Sequence, residues 1–592
     1  MSPVSGGPGA AGGRTDGAAL ARGRPGVAAS WSALAWPLLL AGAVWLAVFH
    51  GLGAVPLFDV DEGAFGEATR EMLARGDYVS TWLNGQPRFD KPILTYWLQA
   101  ASVRLLGLTE LALRLPSALA ATAWIAAVYA FARRVLDRDT ARAAAFIAAT
   151  SAGVVVIGRG AIADALLNLF LALAMFDIHR ELVDPQARRR RRAFLWVGLG
   201  VLTKGPVALL IPGAVSAVAF LLLGRGGSWW RAVHDPVGWL VLLAVAGPWH
   251  ALEYGRRGDA FVAGFFLRHN VERFLVPLQG HAGGPLYYVP ALLVLVLPYT
   301  GLLLATLPGL RRLRASPLDT LLWCWFLFVL AFFTLAGTKL PHYLLYGATP
   351  LFILMARRRH VLRRRFVVLL PALLLTGLVA ALPLLLGRIA SNAHNPYVRE
   401  ALARDDVFSR TWQAQALVLV AGVLLLASWP GRRPRWQPRW WPRWRPTCGA
   451  AAPAMRQKRG GARMDGPPDA PPQPAPAPEP LPVAGHGPWP RLAAAGLLCS
   501  YALGSLLLPA VAELQQGPVK RAALLARRAQ WPVRSWRINA PSFSVYRAAI
   551  TPAADAPRAG DVILTRRDAL DGLGPVRVLF REGGVLLVRV EG

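Results

Sequence analysis

The chain has 592 residues and a mean hydropathy of +0.38, and 54% of its residues are hydrophobic. Together with repeated long apolar runs, these values exclude an ordinary soluble protein and indicate a membrane protein. The net charge is +32, but the arginines stand in short clusters between apolar runs, which is typical of cytoplasmic loops that lie against anionic lipid head groups. This distribution argues against a nucleic-acid partner. The three cysteines are isolated from one another and predict no disulfide framework.

Thirteen apolar segments are interpreted as membrane helices. They lie at about 33–51, 111–132, 143–157, 161–180, 193–203, 206–223, 236–252, 285–307, 318–336, 341–356, 366–387, 413–428 and 490–510. Since roughly 20 apolar residues are needed to cross the hydrocarbon core, the shorter segments are expected to be re-entrant or packed at an interface. Pro206 disfavours a continuous helix through the fifth and sixth segments. The predicted fold class is an all-α polytopic membrane protein.

The basic residues predict the orientation and the domains. Arginines before the first apolar run predict a cytoplasmic N-terminus held by an uncleaved anchor. With thirteen spans, every strong basic cluster between spans falls in the cytoplasm, and the loop 52–110 falls outside. The predicted parts are a disordered N-terminus at 1–32, a membrane domain at 33–428, a basic Pro-rich cytoplasmic linker at 429–489, a last membrane helix at 490–510 and a periplasmic domain at 511–592.

The last segment, 511–592, is the only sizeable polar stretch at the C-terminal end. Residues 561–564, 576–580 and 585–590 alternate between apolar and polar side chains, which predicts short strands. A small α/β periplasmic domain is expected there.

The segment 57–98 concentrates charged residues directly after the first apolar run. Asp59, Asp61 and Glu62 place three carboxylates near the membrane surface, where they repel one another unless a cation or metal neutralises them. The spacing of charged residues from Glu62 to Glu71 predicts an amphipathic helix lying on that surface. Composition alone fits a solvated loop as well as it fits a binding site.

The second half of this segment is basic. Asn84 and Gly85 predict a turn, and Arg88, Asp90 and Lys91 follow between two prolines. An ordinary solvated loop whose charges pair among themselves accounts for these residues as well as a binding site does.

A series of motifs resembles the bacterial GT-C glycosyltransferases, and within them the aminoarabinose transferases, which are related to the protein O-mannosyltransferases. The motifs follow in order as Asp61-Glu62, Glu67-Ala68-Thr69-Arg70-Glu71-Met72, Gly76-Asp77, Leu83-Asn84-Gly85, Phe89-Asp90-Lys91-Pro92, Tyr96-Trp97, Leu113-Arg114-Leu115-Pro116-Ser117, Gly158-Arg159 with Asp164, Leu202-Thr203-Lys204-Gly205-Pro206, Arg268-His269-Asn270 with Arg273-Phe274, His281, Pro285 with Tyr287-Tyr288, and Thr338-Lys339-Leu340-Pro341-His342-Tyr343. The resemblance covers about 55–360, and beyond it only the topology agrees.

This resemblance implies a polyprenyl-phosphate-linked sugar as donor and lipid A or another envelope glycolipid as acceptor, at the periplasmic face of the inner membrane. The sugar would be a pentose or hexose, with 4-amino-4-deoxy-L-arabinose as one candidate. Gly63, Ala64 and Phe65 stand where aminoarabinose transferases carry a basic and aromatic pair. The resemblance therefore identifies the group but not the particular sugar and acceptor.

The chemistry of such a donor selects the candidate site residues. Cleavage of the bond between sugar and phosphate builds negative charge on the phosphate, which fixed cations stabilise. The candidate catalytic residues are Asp61, as base or acceptor-orienting group, Glu62 as second choice, and Lys91. The candidate residues for binding the carrier phosphate or the sugar are Arg88, Lys204, Arg268, His269, Lys339, His342 and Tyr343.

Structural roles compete with several of these interpretations. Lys204 and Lys339 lie beside helix-breaking residues and fit helix caps, and Arg159 with Asp164 fits a structural ion pair. No cofactor requirement is readable. A divalent metal at the carboxylates stays open, and no HxxE or paired-Cys signature supports one.

Two other functions fit a polytopic membrane protein. A transporter or flippase for lipid-linked sugars predicts internal repeats with broken helices in matching halves, and the sequence shows no such repeat. A non-catalytic membrane scaffold leaves the charged segment 57–98 without a role. A lipid-dependent glycosyltransferase is the hypothesis that accounts for both the topology and this segment.

Overall fold

A computed structural model describes residues 27–277, 283–362, 365–428 and 489–591. Most of the predicted N-terminal segment, nearly all of the predicted linker at 429–489 and His281 lie outside the described residues. The described residues 40–428 and 489–591 belong to one compact unit, apart from the gaps given above. The described functional candidates all lie in this unit.

The first loop connects the first helix to the rest of the membrane domain. Helix α1 spans Val27–Val44 and continues as a π-helix at Trp45–Phe49. The loop then forms helix α2 (Asp61–Arg75), the two-residue antiparallel strands β1 (Trp82–Leu83) and β2 (Gln86–Pro87), and helix α3 (Leu94–Leu106). The turn between β1 and β2 contains Asn84 at φ 51° and Gly85 at φ 82°, as the turn prediction requires.

The membrane domain continues as a series of helices. They are α4 (Glu110–Val135), α5 (Arg138–Thr150), α6 (Ala152–Gly158), α7 (Asp164–Val183), α8 (Ala187–Lys204), α9 (Val207–Leu222), α10 (Gly226–Val233), α11 (Pro236–Arg257), α12 (Asp259–Phe261), a π-helix (Val262–Glu272), α13 (Arg273–Leu275), α14 (Tyr288–Leu295), α15 (Thr300–Thr306), a 3₁₀ helix (Leu307–Arg312), α16 (Pro317–Leu335), a 3₁₀ helix (Pro341–Gly347), α17 (Ala348–Arg357), α18 (Arg365–Asn392), α19 (Pro396–Leu402), a 3₁₀ turn (Asp405–Val407), α20 (Arg410–Ser428), α21 (Trp489–Tyr501), a π-helix (Ala502–Leu507) and α22 (Leu508–Gln515).

Side-chain caps determine where several of these helices begin. The Thr109 hydroxyl accepts a hydrogen bond from the Ala112 amide at the start of α4, and Asp137 and Asp235 do the same for α5 and α11. Each such cap stabilises its helix by about 1 kcal/mol. Gly205, at φ 87°, ends α8 directly after Lys204, so the predicted break before Pro206 is confirmed.

Among the described residues, five helices are long and apolar enough to cross a membrane, or up to seven if each of two bent pairs forms one span. The five are Glu110–Val135, Pro317–Leu335, Val367–Asn392, Arg410–Ser428 and Trp489–Gln515. Shorter apolar helices cover Ala35–Phe49 and Val207–Leu222. A polytopic membrane protein is thereby confirmed, and the count of thirteen spans stays a prediction.

Two expectations about individual segments are wrong. The predicted span 285–307 is broken, because the helices on either side of residues 296–299 bend by 117°. Pro298 lies in this break and has no N–H to donate to a continuous helix. The charged face of helix α2 is not solvated, as an amphipathic surface helix would require, since Glu67 is 0% and Glu71 1% exposed.

The C-terminal residues form the small mixed domain that the sequence predicts. It contains α23 (Gly517–Arg528), β3 (Val533–Ser535), α24 (Pro541–Arg547), β4 (Val562–Arg566), a 3₁₀ helix (Arg567–Gly572), β5 (Val576–Glu582) and β6 (Val585–Val590). The sheet has the order β3-β4-β6-β5, with β3 parallel to β4 and the other pairs antiparallel. Helix α24 packs against α2 and covers its charged face, which explains the burial of Glu67 and Glu71.

Candidate active site

The first part of the site lies where α7 begins and α8 ends. The Lys204 ammonium is 2.7 Å from the Asp164 carboxylate, and the Tyr346 hydroxyl donates a hydrogen bond of 2.6 Å to the same oxygen. The His342 Nε2 atom lies 3.6 Å from Asp164. The 3₁₀ helix Pro341–Gly347 positions both Tyr346 and His342, so this predicted histidine reaches the site through Asp164.

The second part comes from the first loop and the π-helix. Asp90 accepts hydrogen bonds from Lys91 at 2.7 Å and Arg88 at 3.1 Å. The His269 Nδ1 atom lies 3.2 Å and the Arg273 guanidinium 3.6 Å from the Asp90 carboxylate. A single carboxylate thus organises three cations and one imidazole.

A cavity of about 440 Å³ joins the two parts. Its polar lining includes charged residues of both parts, and its apolar lining combines aromatic and aliphatic side chains. The charged and polar side chains are Asp90, Lys91, Lys204, His269, Asn270, Arg273, Thr338, Tyr343 and Tyr346, and the aromatic apolar ones are Phe266, Phe274, Phe332 and Phe333. Such a lining fits an amphiphilic ligand that has an anionic head group and an apolar tail.

Several buried donors near this cavity have no hydrogen-bond partner among the described residues. They include Nη1 of Arg88, Nε of Arg273 and the hydroxyl of Tyr96. Arg88 also stacks over Phe65 at 5.3 Å, which holds its guanidinium in place. Buried donors normally have hydrogen-bond partners, so these donors favour an anionic ligand at this position.

Asp61 faces the same cations from the start of α2. Its side chain is exposed and makes no hydrogen bond or ion pair within the described part of the chain. Its charge nevertheless acts on Arg88, Arg273 and His342. A carboxylate that is close to cations but not paired with them is free to contact a ligand.

The charges of the loop residues depend on this environment. Burial opposes ionisation of Asp90, but Lys91, Arg88 and His269 outweigh it and lower the pKa of Asp90 well below its usual range. Burial lowers the pKa of Lys91, and the nearby Asp90 carboxylate partly offsets this effect. Burial also lowers the pKa of His269, and the Asp90 carboxylate offsets part of this effect.

Six predicted site residues do not line the cavity. Asp61, Arg88 and His342 interact with charged residues of the site as described above, whereas Glu62, Lys339 and Arg268 do not contribute to it. Glu62 is buried and forms an ion pair of 2.6 Å with Arg114, and it also accepts a hydrogen bond of 2.6 Å from the amide of Ala161. Lys339 donates to the carbonyls of Thr334 and Ala336 at 2.8 and 2.6 Å and so caps α16. Arg268 is exposed and is not among the cavity-lining residues. The geometry supports neither a catalytic role for Glu62 nor phosphate binding by Lys339.

The predicted structural ion pair between Arg159 and Asp164 is wrong. Asp164 pairs with Lys204, whereas the Arg159 guanidinium donates to the carbonyls of His50 at 2.7 Å and Gly504 at 3.2 Å. The two residues lie close in sequence but have different neighbours, because Arg159 follows the end of α6 and Asp164 begins α7.

Sequence reasoning missed Asp90, Asp164, Arg273 and Tyr346 as site residues. Arg273 follows His269 by four residues, a spacing that places both on one helical face, and this signal was available. The contact between Asp164 and Tyr346 joins positions separated by 182 residues, and no local pattern encodes it. No group of three or more His, Cys, Asp or Glu that fits a metal ion occurs in the described ranges, and the metal question stays open.

Comparison with known proteins agrees with this architecture. Residues 90–251 match the family model of the dolichyl-phosphate-mannose-protein mannosyltransferases. The chain also superposes on the crystal structure of ArnT from Cupriavidus metallidurans bound to undecaprenyl phosphate, with a TM-score of 0.71, 19% identity, and coverage of 95% of this chain and 99% of that one. The apo crystal structure of the same protein gives a TM-score of 0.70 with the same identity and coverage. The fold is therefore the GT-C fold, which confirms the predicted class of membrane protein.

Sequence relatives show which proteins of known description the chain is similar to. The chain is 33% identical over 328 residues to the undecaprenyl phosphate-α-4-amino-4-deoxy-L-arabinose arabinosyl transferase of Serratia proteamaculans, a match that covers 54% of this chain and 58% of the relative. The enzyme of the same description from Yersinia enterocolitica is 33% identical over 327 residues, which cover 53% of this chain and 58% of the relative. The match thus spans a little over half the length of these relatives. The chain is similar to the aminoarabinose transferases, and the resemblance predicted from the motifs is confirmed.

Proposed function

We propose that this protein is an integral membrane glycosyltransferase that moves a sugar from a polyprenyl-phosphate donor to a lipid A-type or other envelope acceptor. The observation that carries the proposal is the cavity, in which Lys91, Lys204 and Arg273 lie beside unpartnered donors and aromatic walls. The cations and donors match a phosphate, and the aromatic walls match a polyprenyl chain. The descriptions of the sequence relatives support the same donor class, and they suggest 4-amino-4-deoxy-L-arabinose as the sugar.

The geometry suggests how transfer proceeds. The acceptor oxygen attacks the anomeric carbon, the bond between that carbon and the phosphate oxygen breaks, and the bonding electrons go to the phosphate. Lys91, Lys204 and Arg273 stabilise the charge that develops there, and fixed cations in a site shielded from water act strongly on such charge. Asp61 accepts the proton of a hydroxyl acceptor, or orients an acceptor that is already an anionic phosphate.

Other predicted residues support this arrangement. Asp90 holds Arg88 and Lys91 in place, with His269 as a further neighbour. Tyr343 lines the cavity and offers its ring to the sugar or the polyprenyl chain. His342 acts through Asp164, which it approaches at 3.6 Å.

The proposal includes the location and domain roles. Residues 33–428 form the catalytic membrane domain, the loop 52–110 and the domain 511–592 face the periplasm, and the bilayer is the inner membrane. The basic clusters between apolar segments support this orientation. An alkaline phosphatase fusion after Asn84 is expected to be active and a fusion after Arg190 inactive, and the reverse pattern contradicts the orientation.

Transfer is tested with the purified protein in liposomes. The protein is supplied with undecaprenyl phosphate-linked aminoarabinose and with lipid A, and mass spectrometry of the lipids reports whether the acceptor gains the sugar. Movement of the donor between leaflets without transfer indicates a transporter. Neither activity, together with unchanged envelope lipids in cells that lack the protein, indicates a scaffold. Mass spectrometry of envelope lipids from cells with and without the protein then identifies the natural sugar and acceptor.

A further inference from the structure

The C-terminal domain contacts the first loop directly beside the candidate base. Asp59, two residues before Asp61, accepts a hydrogen bond of 2.8 Å from the Ser542 amide and one of 2.5 Å from the Ser542 hydroxyl. Ser542 is 0% exposed and lies in α24. The backbone that carries Asp61 is therefore attached to a helix of the C-terminal domain.

Gly63 makes this contact possible. A Cβ atom at this position would lie 2.6 Å from the Ser542 amide nitrogen and would also collide with the Asp59 carboxylate. The segment Gly63-Ala64-Phe65, in which the sequence departs from the aminoarabinose transferase pattern, thus lies where α24 approaches α2. The close packing of α24 against α2 therefore explains why Gly63 stands in this segment of the chain.

The same helix also contacts the basic half of the loop. The Ser544 hydroxyl donates a hydrogen bond of 2.6 Å to the Asn84 side chain, and the Thr551 amide donates another of 3.4 Å. Asn84 has a left-handed backbone and occupies the turn that leads into Arg88 and Lys91. The position of this turn is fixed on one side by these bonds and on the other by Glu71 of α2, which accepts a hydrogen bond of 3.1 Å from Gly85.

A third contact anchors the start of the loop. The Leu57 amide donates a hydrogen bond of 2.7 Å to the Tyr546 hydroxyl, which itself donates one of 3.1 Å to Glu110. The Lys520 ammonium is 2.5 Å from Glu110. Leu57 and Tyr546 belong to one buried apolar cluster, so the domain and the loop share a core.

We propose that Ser542 and Ser544 of α24 are positioning residues, which hold Asp61 and the Lys91 segment at a fixed separation across the cavity mouth. This inference rests on the proposed transferase function and extends it, because it makes the C-terminal domain part of the catalytic machinery. Small displacements of a reacting group reduce rates strongly, so both loop segments need this support during transfer.

The decisive experiment compares Ser542→Ala with Ser535→Ala in the full-length protein. The Ser535 hydroxyl, in β3 of the same domain, makes no hydrogen bond within the described ranges. In the liposome assay we expect Ser542→Ala to lower kcat about tenfold with the donor KM nearly unchanged, because the phosphate-binding cations remain. Ser535→Ala is expected to behave as the wild type.

A pH profile separates positioning from a general loss of stability. Burial raises the pKa of Asp59 to about 7, and the Ser542 hydrogen bonds counteract part of that rise. The other groups that face Asp59 are Glu62 on α2, Tyr397 on α19 and the Gln516 side chain. Loss of the Ser542 hydroxyl is therefore expected to move the acidic limb of the kcat profile to higher pH, and Asp59→Asn is expected to remove this dependence on Ser542.

A double variant completes the test. If Asp59 and Ser542 act through each other, the double variant Asp59→Asn with Ser542→Ala has the rate of the slower single variant, whereas the rate losses multiply if the two act independently. Multiplied rate losses, or a wild-type kcat and pH profile for Ser542→Ala, would overturn the positioning role.

If Ser542→Ala does not accumulate in the membrane, the pair Asn84→Ala and Ser544→Ala provides the same test. Absence of transfer by the wild type contradicts the proposed function itself, which is a separate outcome.

Discussion

The two ends of the helix pair α7 and α8 carry charged clusters with opposite properties. At the end where α7 begins, Asp164 meets Lys204 beside a cavity with unpartnered donors. At the other end, Asp177 accepts hydrogen bonds from Arg180 at 2.7 Å, Trp196 at 3.1 Å and Arg192.

The second cluster, around Asp177, extends to residues near the start of α8 and α11, and the charges named there are paired. Arg190 pairs with Glu181 at 3.0 Å and with Asp235, the cap of α11, at 2.8 Å. Each of these carboxylates has a cation, and each cation has a carboxylate. The comparison teaches that buried charge alone does not mark a site. A site is marked instead by an excess of hydrogen-bond donors over acceptors beside an open cavity, because only a ligand supplies the missing acceptors.

The largest effect is expected when cations are removed from the cluster beside the cavity and not from the cluster around Asp177. Lys91→Ala and Lys204→Ala are each expected to lower kcat/KM for transfer by roughly 10²–10³-fold, since each removes a fixed donor from the developing phosphate charge. Arg192→Ala, at the saturated cluster, is the matched control and is expected to stay within about twofold of the wild-type rate. Equal losses for all three variants would show that the two clusters do not differ in function.

Two adjacent carboxylates offer a second test. Asp61→Asn is expected to lower kcat at least about tenfold while the melting temperature stays unchanged, because the unpaired carboxylate contributes chemistry and not packing. Glu62→Gln is expected to lower the melting temperature, since it breaks a buried pair with Arg114, a change that destabilises proteins by up to about 3–5 kcal/mol. The kcat and the melting temperature of both purified variants are measured. If Glu62→Gln lost activity and Asp61→Asn lost stability, the catalytic and structural roles would be exchanged.

A smaller effect is expected for the lysine that caps α16. Lys339→Met removes hydrogen bonds to two carbonyls and is expected to reduce stability by about 1–3 kcal/mol. The donor KM is expected to remain unchanged, because the ammonium points to the helix end. A large increase in KM would place Lys339 among the phosphate ligands after all.

The smallest expected effect concerns pH. The pKa of Asp59 is raised to about 7 by burial, and that of Glu67 is raised to about 7 by burial that Arg70 only partly offsets. The folded state therefore holds these protons more tightly than the unfolded state, and stability declines as the pH rises from about 4 to about 7. Melting temperatures across this range are expected to decline less steeply for Asp59→Asn than for the wild type, and parallel curves would contradict this origin of the decline.

The sequence allowed parts of the fold and site to be predicted because their signals are local. The break after Lys204 follows from Gly205 and Pro206, and the turn before Arg88 follows from Asn84 and Gly85. The burial of α2 had no such signal. Its charged residues have the spacing of a solvated helix, and only the arrival of α24, more than 450 positions later, determines that they are enclosed.

Contacts between positions that are distant in sequence account for most of the remaining differences between the predictions and the structure. Lys204 and Lys339 have the same local context, a lysine near glycine and proline, yet one faces Asp164 and the other faces carbonyls of its own helix end. Glu62 and Asp61 are adjacent, yet helical geometry points one toward Arg114 and leaves the other exposed. Such choices depend on tertiary packing, which spacing does not encode.

The carbonyls that Arg159 binds have a consequence for biogenesis. This buried guanidinium, with no carboxylate partner in the described part of the chain, reaches Gly504, which follows it by 345 positions. During synthesis the intervening helices are made before Gly504, so until then the Arg159 guanidinium lacks the hydrogen bond to the Gly504 carbonyl. Chains truncated before residue 504 lack this carbonyl and are therefore expected to be less stable in the membrane than the full-length protein.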